Sequence, residues 1–222
     1  RKGIYGGSFE NRTRLYTDTL RAVKSAVSNS FIVTSRLNAY DGFEYPFGFG
    51  VREGEGDAPC LDETIKLIDM LHNTLGIGLI NITIGNPYVN PHLNRPFNKG
   101  GYSAPEHPLC SVLKMINCTA EIKAAFPDLK VVGSSYSYLG EAAPLLAAGE
   151  VQNGVCDIAG FGRMAIAYPD FARDIIAGSF DKNKCCLACS KCSEMMRAGG
   201  VAGCVVKDSE VYLPLYKECV LK

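Results

Sequence analysis

The chain has 222 residues, enough for one large domain or two small ones, and its 47% hydrophobic and 21% charged residues are those of a folded globular protein. Lys and Arg total 23 and Asp and Glu total 23, so no bulk positive charge is available to hold a nucleic acid. No apolar run reaches the roughly 18 residues of a membrane span and no signal peptide opens the chain, so neither a membrane nor an export route is expected.

The first residue is Arg1, and the chain is expected to begin inside a longer protein. A helix is predicted over residues 11–27, where Leu15, Leu20, Val23 and Val27 follow helical spacing. The apolar run 31–38 reads as a first strand. Residues 39–59, rich in Gly, Pro and aromatics, form a long connection. Residues 61–75 predict a second helix, with Asp62 as N-cap and Ile65, Ile68 and Leu71 on its apolar face. A second strand, 76–85, leads into another long connection, 86–107. A helix over 108–126 opens on Pro108. A third strand, 129–137, and a helix, 139–148, stopped by Gly149, come next. The last unit is a strand over 156–163 and a helix over 169–177, ended by Gly178.

One helix followed by four strand–helix units is an α/β pattern with a parallel sheet, either doubly wound or part of an eight-stranded barrel. The apolar strands read as buried on both faces. Both long connections follow a strand's C-terminal end, where ligands bind in such folds, and are read as active-site loops.

Several residues there have suitable chemistry. Gly133, Ser134 and Ser135 end the third strand, and Gly162 and Arg163 end the fourth. Such strand ends form phosphate sites in barrels, although the glycines would serve equally as turn residues. Arg36 is a charge inside an apolar strand, placed either to pair with a carboxylate or to face a ligand that gathers negative charge. Tyr88, His92 and His107, in the second long loop, are candidate proton donors. His72 falls in a helix and is read as structural.

Five of the ten cysteines lie between residues 184 and 206, and the others, Cys60, Cys110, Cys118, Cys156 and Cys219, are scattered. That distribution fits a reducing, cytoplasmic setting better than a disulfide framework. Cys186, Cys189 and Cys192 are spaced C-x2-C-x2-C, and Cys204 follows after eleven further residues. This spacing matches runs that ligate iron–sulfur clusters, whereas structural zinc usually takes two separated pairs. Disulfides or inert thiols are the remaining readings. Cys185 is a fifth thiol that could replace Cys186.

The segment Tyr5 to Arg14, YGGSFENRTR, resembles the signature of the old yellow enzyme family of flavin oxidoreductases. The segments SRLN, VVGSS and GFGRMAIAYPDFARDI follow in the family's order, and the cysteine run resembles its 4Fe–4S branch. That branch includes 2,4-dienoyl-CoA reductase, trimethylamine dehydrogenase and enoate reductase. The resemblance implies an FMN-binding TIM (β/α)8 barrel, of which this chain is similar to the C-terminal half, strands five to eight. Arg36 would match the arginine at the flavin's pyrimidine edge. Gly133, Ser134, Ser135, Gly162 and Arg163 would match the two phosphate loops, and Cys186, Cys189, Cys192 and Cys204 the cluster ligands. Tyr88 and His92 are the candidate catalytic residues. Gly3 stands where the family usually has an acid, and two residues rather than three separate the second and third cysteines.

The expected organisation is therefore residues 1–182 as the half-barrel, 183–206 as the cluster segment and 207–222 as a tail. The expected activity is reduction of an activated C=C bond in an enoate or dienoyl-CoA type substrate, with FMN, a 4Fe–4S cluster and NAD(P)H as donor. The expected partners are a small-molecule substrate and the missing half-barrel or a second one, with homo-oligomerisation and without nucleic acid or membrane. The fragment alone is expected to be inactive. The competing reading is a non-catalytic α/β module stapled by zinc or iron–sulfur.

Overall fold

A computed structural model describes residues 2–221; Arg1 and Lys222, the outer limits of the expected terminal segments, lie outside it. Four strands form one parallel sheet in the order β1 (Ser35–Asn38), β2 (Leu79–Thr83), β3 (Lys130–Gly133) and β4 (Ile158–Ala159). Spatial neighbours are also sequence neighbours, as in a barrel wall. The helices before and between the strands are α1 (Phe9–Ala26), α2 (Asp62–Asp69), α3 (Pro91–Asn94), α4 (Pro108–Ala125) and α5 (Ala143–Gln152). After β4 come α6 (Arg163–Ala167), α7 (Phe171–Ile176), α8 (Lys191–Arg197) and α9 (Ser209–Val220). No helix among the described residues is long and apolar enough to cross a membrane.

The signature segment is the start of α1. Ser8 is the N-cap, its Oγ accepting from the Asn11 N–H at 3.3 Å. Asn11 and Arg14 reach back to the Gly6 and Ile4 carbonyls at 3.1 and 3.0 Å, folding the preceding turn onto the helix. Arg12 pairs with Glu63 and ties α1 to α2.

The sheet has two unlike faces. Leu37, Ile80, Ile82 and Val131 point to one side, where Leu20 of α1, Ile68 of α2, and Met115 and Ile122 of α4 cover them in one apolar core. Burial of each such side chain contributes on the order of 1.5–3 kcal/mol. The opposite face carries Arg36, Asn38, Asn81, Thr83 and Val132 in the alternate register positions. The strands are thus apolar on one face only, not on both as their composition suggested. In a closed barrel the polar face is the lumen.

Other expectations are also revised. The first strand starts at Ser35 rather than 31, because Phe31 and Ile32 are exposed and the ladder begins where Thr34 Oγ donates to the Leu79 carbonyl at 2.8 Å. The fourth strand is only two residues long. Asp62 is the first residue of α2 and not its cap; its carboxylate pairs with Arg52 at 2.6 Å. The helix runs on as a π-helical turn over Met70–Thr74. Gly149 lies inside α5, which continues to Gln152, and Gly154 takes the left-handed conformation beyond it (φ 72°).

A second core joins Tyr136, Ala143, Ala147, Met164 and Tyr168 with Cys185. A third, of Met195, Val205 and Tyr216, joins the cysteine segment to α9. Tyr216 Oη donates to Glu194 of α8 at 2.5 Å, so the expected tail is a helix bound to that segment.

Candidate functional site

The polar face of the sheet is organised by two amide side chains and one hydroxyl. Arg36 Nη2 donates to Thr83 Oγ1 at 3.1 Å, and Asn94 Nδ2 of α3 donates to the same oxygen at 2.5 Å. Asn94 also reaches the Ile84 carbonyl at 3.2 Å, which locks α3 to the end of β2. One strand over, Asn81 Nδ2 bonds Ser134 Oγ at 3.2 Å and the Val132 carbonyl at 3.3 Å. No carboxylate among the described residues pairs with Arg36, whose side chain lies along the open face.

At the end of β3, Ser135 holds a positive φ of 78°, costly for a residue with a Cβ, and its buried hydroxyl has no partner among the described residues. An oxyanion there would satisfy it. Gly162 has open space around it. Gly133 is different: a Cβ would come within 2.4 Å of Tyr136 Oη, which donates to the buried Glu150 at 2.6 Å. Its glycine is needed for packing on the helix side, while its backbone remains in the strand. Gly160 also permits close strand approach, since a Cβ would lie 2.8 Å from the Gly133 carbonyl.

The second long loop is a knot rather than a flap. Asn90 Nδ2 binds the Asp41 and Gly42 carbonyls at 2.9 and 3.0 Å and so joins the two long loops. His92 is buried, and its Nδ1 lies 2.6 Å from Tyr102 Oη, which also accepts from the His92 backbone N–H at 3.2 Å. Burial holds the His92 imidazole below its ordinary pKa and favours the neutral ring. Tyr88 is 90% exposed, so the two candidate proton donors are not brought together. His107 caps α4, its Nδ1 accepting from the Leu109 N–H at 3.3 Å. His72 sits 3.0 Å from the Ile77 carbonyl and edge-on to Phe126, in a packing role.

Cys186, Cys189, Cys192 and Cys204 line one small enclosed cavity together with Arg163. Ala188 and Ser190 between them take positive φ values of 50° and 62°, so the backbone coils tightly around the cavity. The Ala188 N–H points at Cys186 Sγ (3.4 Å) and the Lys207 N–H at Cys204 Sγ (3.3 Å). Burial raises the Cys186 thiol above its ordinary pKa, a cost that ligation by a metal centre would remove. Among the described residues no group of three or more His, Cys, Asp or Glu side chains is placed to hold a metal ion. Tetrahedral zinc with bonds of about 2.3 Å draws its sulfurs tightly together, whereas a multi-iron cluster occupies the space between them. Four thiols on one cavity with two N–H donors are a donor set that either centre could use. Cys185 is 4% exposed and belongs to the second apolar core, which answers its open role: it fills space.

Arg163 is the first residue of α6 and is 9% exposed. Its Nη2 donates to the Pro96 carbonyl at 2.6 Å, and its Nη1 is buried without a partner among the described residues. The guanidinium therefore lines the cysteine cavity, and its backbone remains at the end of β4.

No family model matches the sequence. The bilirubin reductase of Mediterraneibacter gnavus (strain CC55_001C) is 26% identical over 214 residues, 96% of this chain and 30% of that protein. A probable N-methylproline demethylase of Rhizobium meliloti (strain 1021) is 27% identical over 205 residues, 91% of this chain and 26% of that protein. The matches support the old yellow enzyme and trimethylamine dehydrogenase-like family. The chain spans between a quarter and a third of the length of these relatives, whose names are those of oxidoreductases. The 6-hydroxypseudooxynicotine amine oxidase of Pseudomonas geniculata N1 shares the fold, with a TM-score of 0.65 at 22% identity, over 92% of this chain and 26% of that one. The four-stranded sheet thus has the fold of part of a TIM barrel.

Sequence reasoning missed Thr83, Asn94 and Tyr102. The first was signalled by Asn81 and Thr83 standing two apart in an apolar strand, the period that puts both on one face.

Proposed function

We propose that this chain supplies the C-terminal half of the FMN site and the 4Fe–4S site of a flavin-dependent oxidoreductase. The observation that carries the reading is the convergence of Cys186, Cys189, Cys192 and Cys204 on one cavity, beside a sheet whose polar face presents Arg36. Bound FMN supplies hydride transfer to or from a substrate carbon, and a bound cluster supplies single-electron relay.

The chain's own residues have distinct tasks. Arg36, held by Thr83, presents a fixed cation where negative charge gathers. Ser134, Ser135 and Gly162 offer hydroxyl and backbone groups at the strand ends for a phosphate, with the unpartnered Ser135 hydroxyl as the strongest sign of fit. The four cysteines would hold the cluster, with the Ala188 and Lys207 amides donating to the Cys186 and Cys204 sulfurs. Tyr102 Oη and His92 Nδ1 share a hydrogen bond, and this pair is a better-built proton reserve of the loop than exposed Tyr88.

The proposed substrate is a small molecule with an activated C=C bond of the enoate or dienoyl-CoA type, reduced at the expense of NAD(P)H, in the cytoplasm. The rest of the barrel, from a longer chain or a second copy in a homo-oligomer, completes the site. A second reading, oxidation of an amine C–N bond, is favoured by the demethylase relative. A non-catalytic zinc module is the reading that metal content eliminates.

The test is the anaerobically purified full-length protein and its Cys189→Ala variant, assayed for iron, acid-labile sulfide, zinc and visible absorption. The expected result is iron and sulfide in the parent protein and loss of both in the variant. Unchanged iron in the variant, or zinc without sulfide in the parent, overturns the assignment. Anaerobic mixing then separates the two substrate readings: an N-methyl amine that is oxidised bleaches the oxidised flavin, whereas an enoate that is reduced restores the absorption of flavin first reduced with dithionite.

A further inference from the structure

We propose that Arg163 is the fixed counter-charge of the four-cysteine cavity and raises the reduction potential of the cluster housed there. The inference rests on the cluster reading above. Its basis is a charge without a partner. Arg163 is nearly buried, and among the described residues no carboxylate forms an ion pair with it and the Pro96 carbonyl is the one acceptor it reaches, at 2.6 Å. A guanidinium cannot shed its charge as a lysine can, so a buried one needs an anion or pays for desolvation. Cys186, Cys189, Cys192 and Cys204 line the same cavity as Arg163, and a second cation, Arg95, opposes it.

Arg95 makes the case stronger. Its Nε is also buried without a partner among the described residues, and Arg197 and Cys192 lie near it. Burial lowers both guanidinium pKa values from the ordinary range. Two guanidinium groups, buried Arg163 and half-buried Arg95, oppose each other here, and neutral thiols or disulfides would offset neither. Around four thiolates and a net-negative cluster they become complementary.

The position of Arg163 is also fixed. The next residue, Met164, is fully buried, and its N–H donates to Ser137 Oγ at 3.1 Å. The side chain thus enters the cavity from a rigid turn of the second core. Reduction adds one electron, from an added reductant such as dithionite, with no bond made or broken. The reduced cluster is more negative by one charge. A fixed cation favours that state, so removing it lowers the potential.

The experiment is a potentiometric titration of the full-length protein, with the reduced cluster followed by EPR. Arg163→Gln is expected to shift the equilibrium about tenfold towards the oxidised cluster, about 59 mV downward for one electron. Arg163→Lys should restore most of the shift. An Arg163→Gln protein with full iron and sulfide and an unchanged potential overturns the inference. If Arg163→Gln fails to assemble a cluster and Arg163→Lys succeeds, charge is required and the inference stands; if both fail, the role is shape and it falls. Absence of iron and sulfide from the parent protein would instead remove the cluster reading itself.

Discussion

Thr83 is the residue on which the polar face turns. Its hydroxyl accepts from both Arg36 and Asn94, which uses both lone pairs and leaves only the O–H to donate outward. It therefore does two things: it holds the Arg36 guanidinium and presents a donor of its own at the strand end. Thr83→Val keeps the shape and removes both. A single hydrogen bond is worth about 1 kcal/mol, so FMN is expected to bind the full-length apoprotein about fivefold more weakly, as read by quenching of flavin fluorescence. An unchanged affinity would mean that Arg36 does not depend on Thr83 or does not face the flavin. The same scale explains Cys185: it is the thiol of the cysteine run that points into an apolar core, and burial pushes its pKa up.

Between elements, Asp157 clamps the weakest join of the sheet. It sits just before the two-residue β4 and accepts from the Val131 N–H of β3 at 2.9 Å. Lys123 of α4 and Lys130 of β3 reach the same carboxylate at 2.9 and 3.0 Å. Burial pushes this carboxyl up, but the three donors outweigh it and hold its pKa at about 2. The folded value lies below the unfolded one of about 3.9, so the stabilisation is fully present above that pH and is lost as pH falls towards 2. Asp157→Asn is expected to cost about 1–2 kcal/mol at pH 7, the partly exposed Lys130 discounting the full linkage value. Urea unfolding at pH 7 and at pH 2.5 checks this: the gap between parent and variant should shrink at the lower pH. A gap that persists would place the effect in shape rather than charge.

How far these elements were legible depended on range. The succession of strands and loops along the chain followed from local patterns of Val, Ile and Gly, whereas a doubly wound sheet and a barrel fitted those patterns equally and only the family resemblance favoured the barrel; the cysteine spacing marked a site by itself. Strand ends were overdrawn, as at Phe31, because an apolar residue does not say whether a neighbouring strand exists for it to pair with. The polar face was hidden for a related reason. Arg36, Asn81 and Thr83 come from two strands far apart in sequence, and only the parallel register sets them side by side. The direction of the Arg163 side chain was likewise beyond the sequence, since a strand-end arginine can turn to a phosphate or away from it.

For the whole molecule, the decisive feature is a sheet finished on one side only. Helices cover the apolar face, while Arg36, Asn38, Asn81 and Thr83 line the other. Purely parallel sheets are found with both faces covered. The sheet order also leaves β1 and β4 with one free edge each among the described residues. Free edges and an uncovered face favour association with another strand-bearing surface. A protein made of residues 1–222 alone is therefore expected to sediment as a dimer or larger species, and to bind FMN far more weakly than the full-length protein. The cost is electrostatic as well as topological: on an uncovered face water screens Arg36 and weakens its hold on an anion. Sedimentation velocity with a parallel FMN titration tests both statements. A monomer that binds FMN as tightly as the full-length protein would show that the four strands form a complete site, and that the polar face needs no partner.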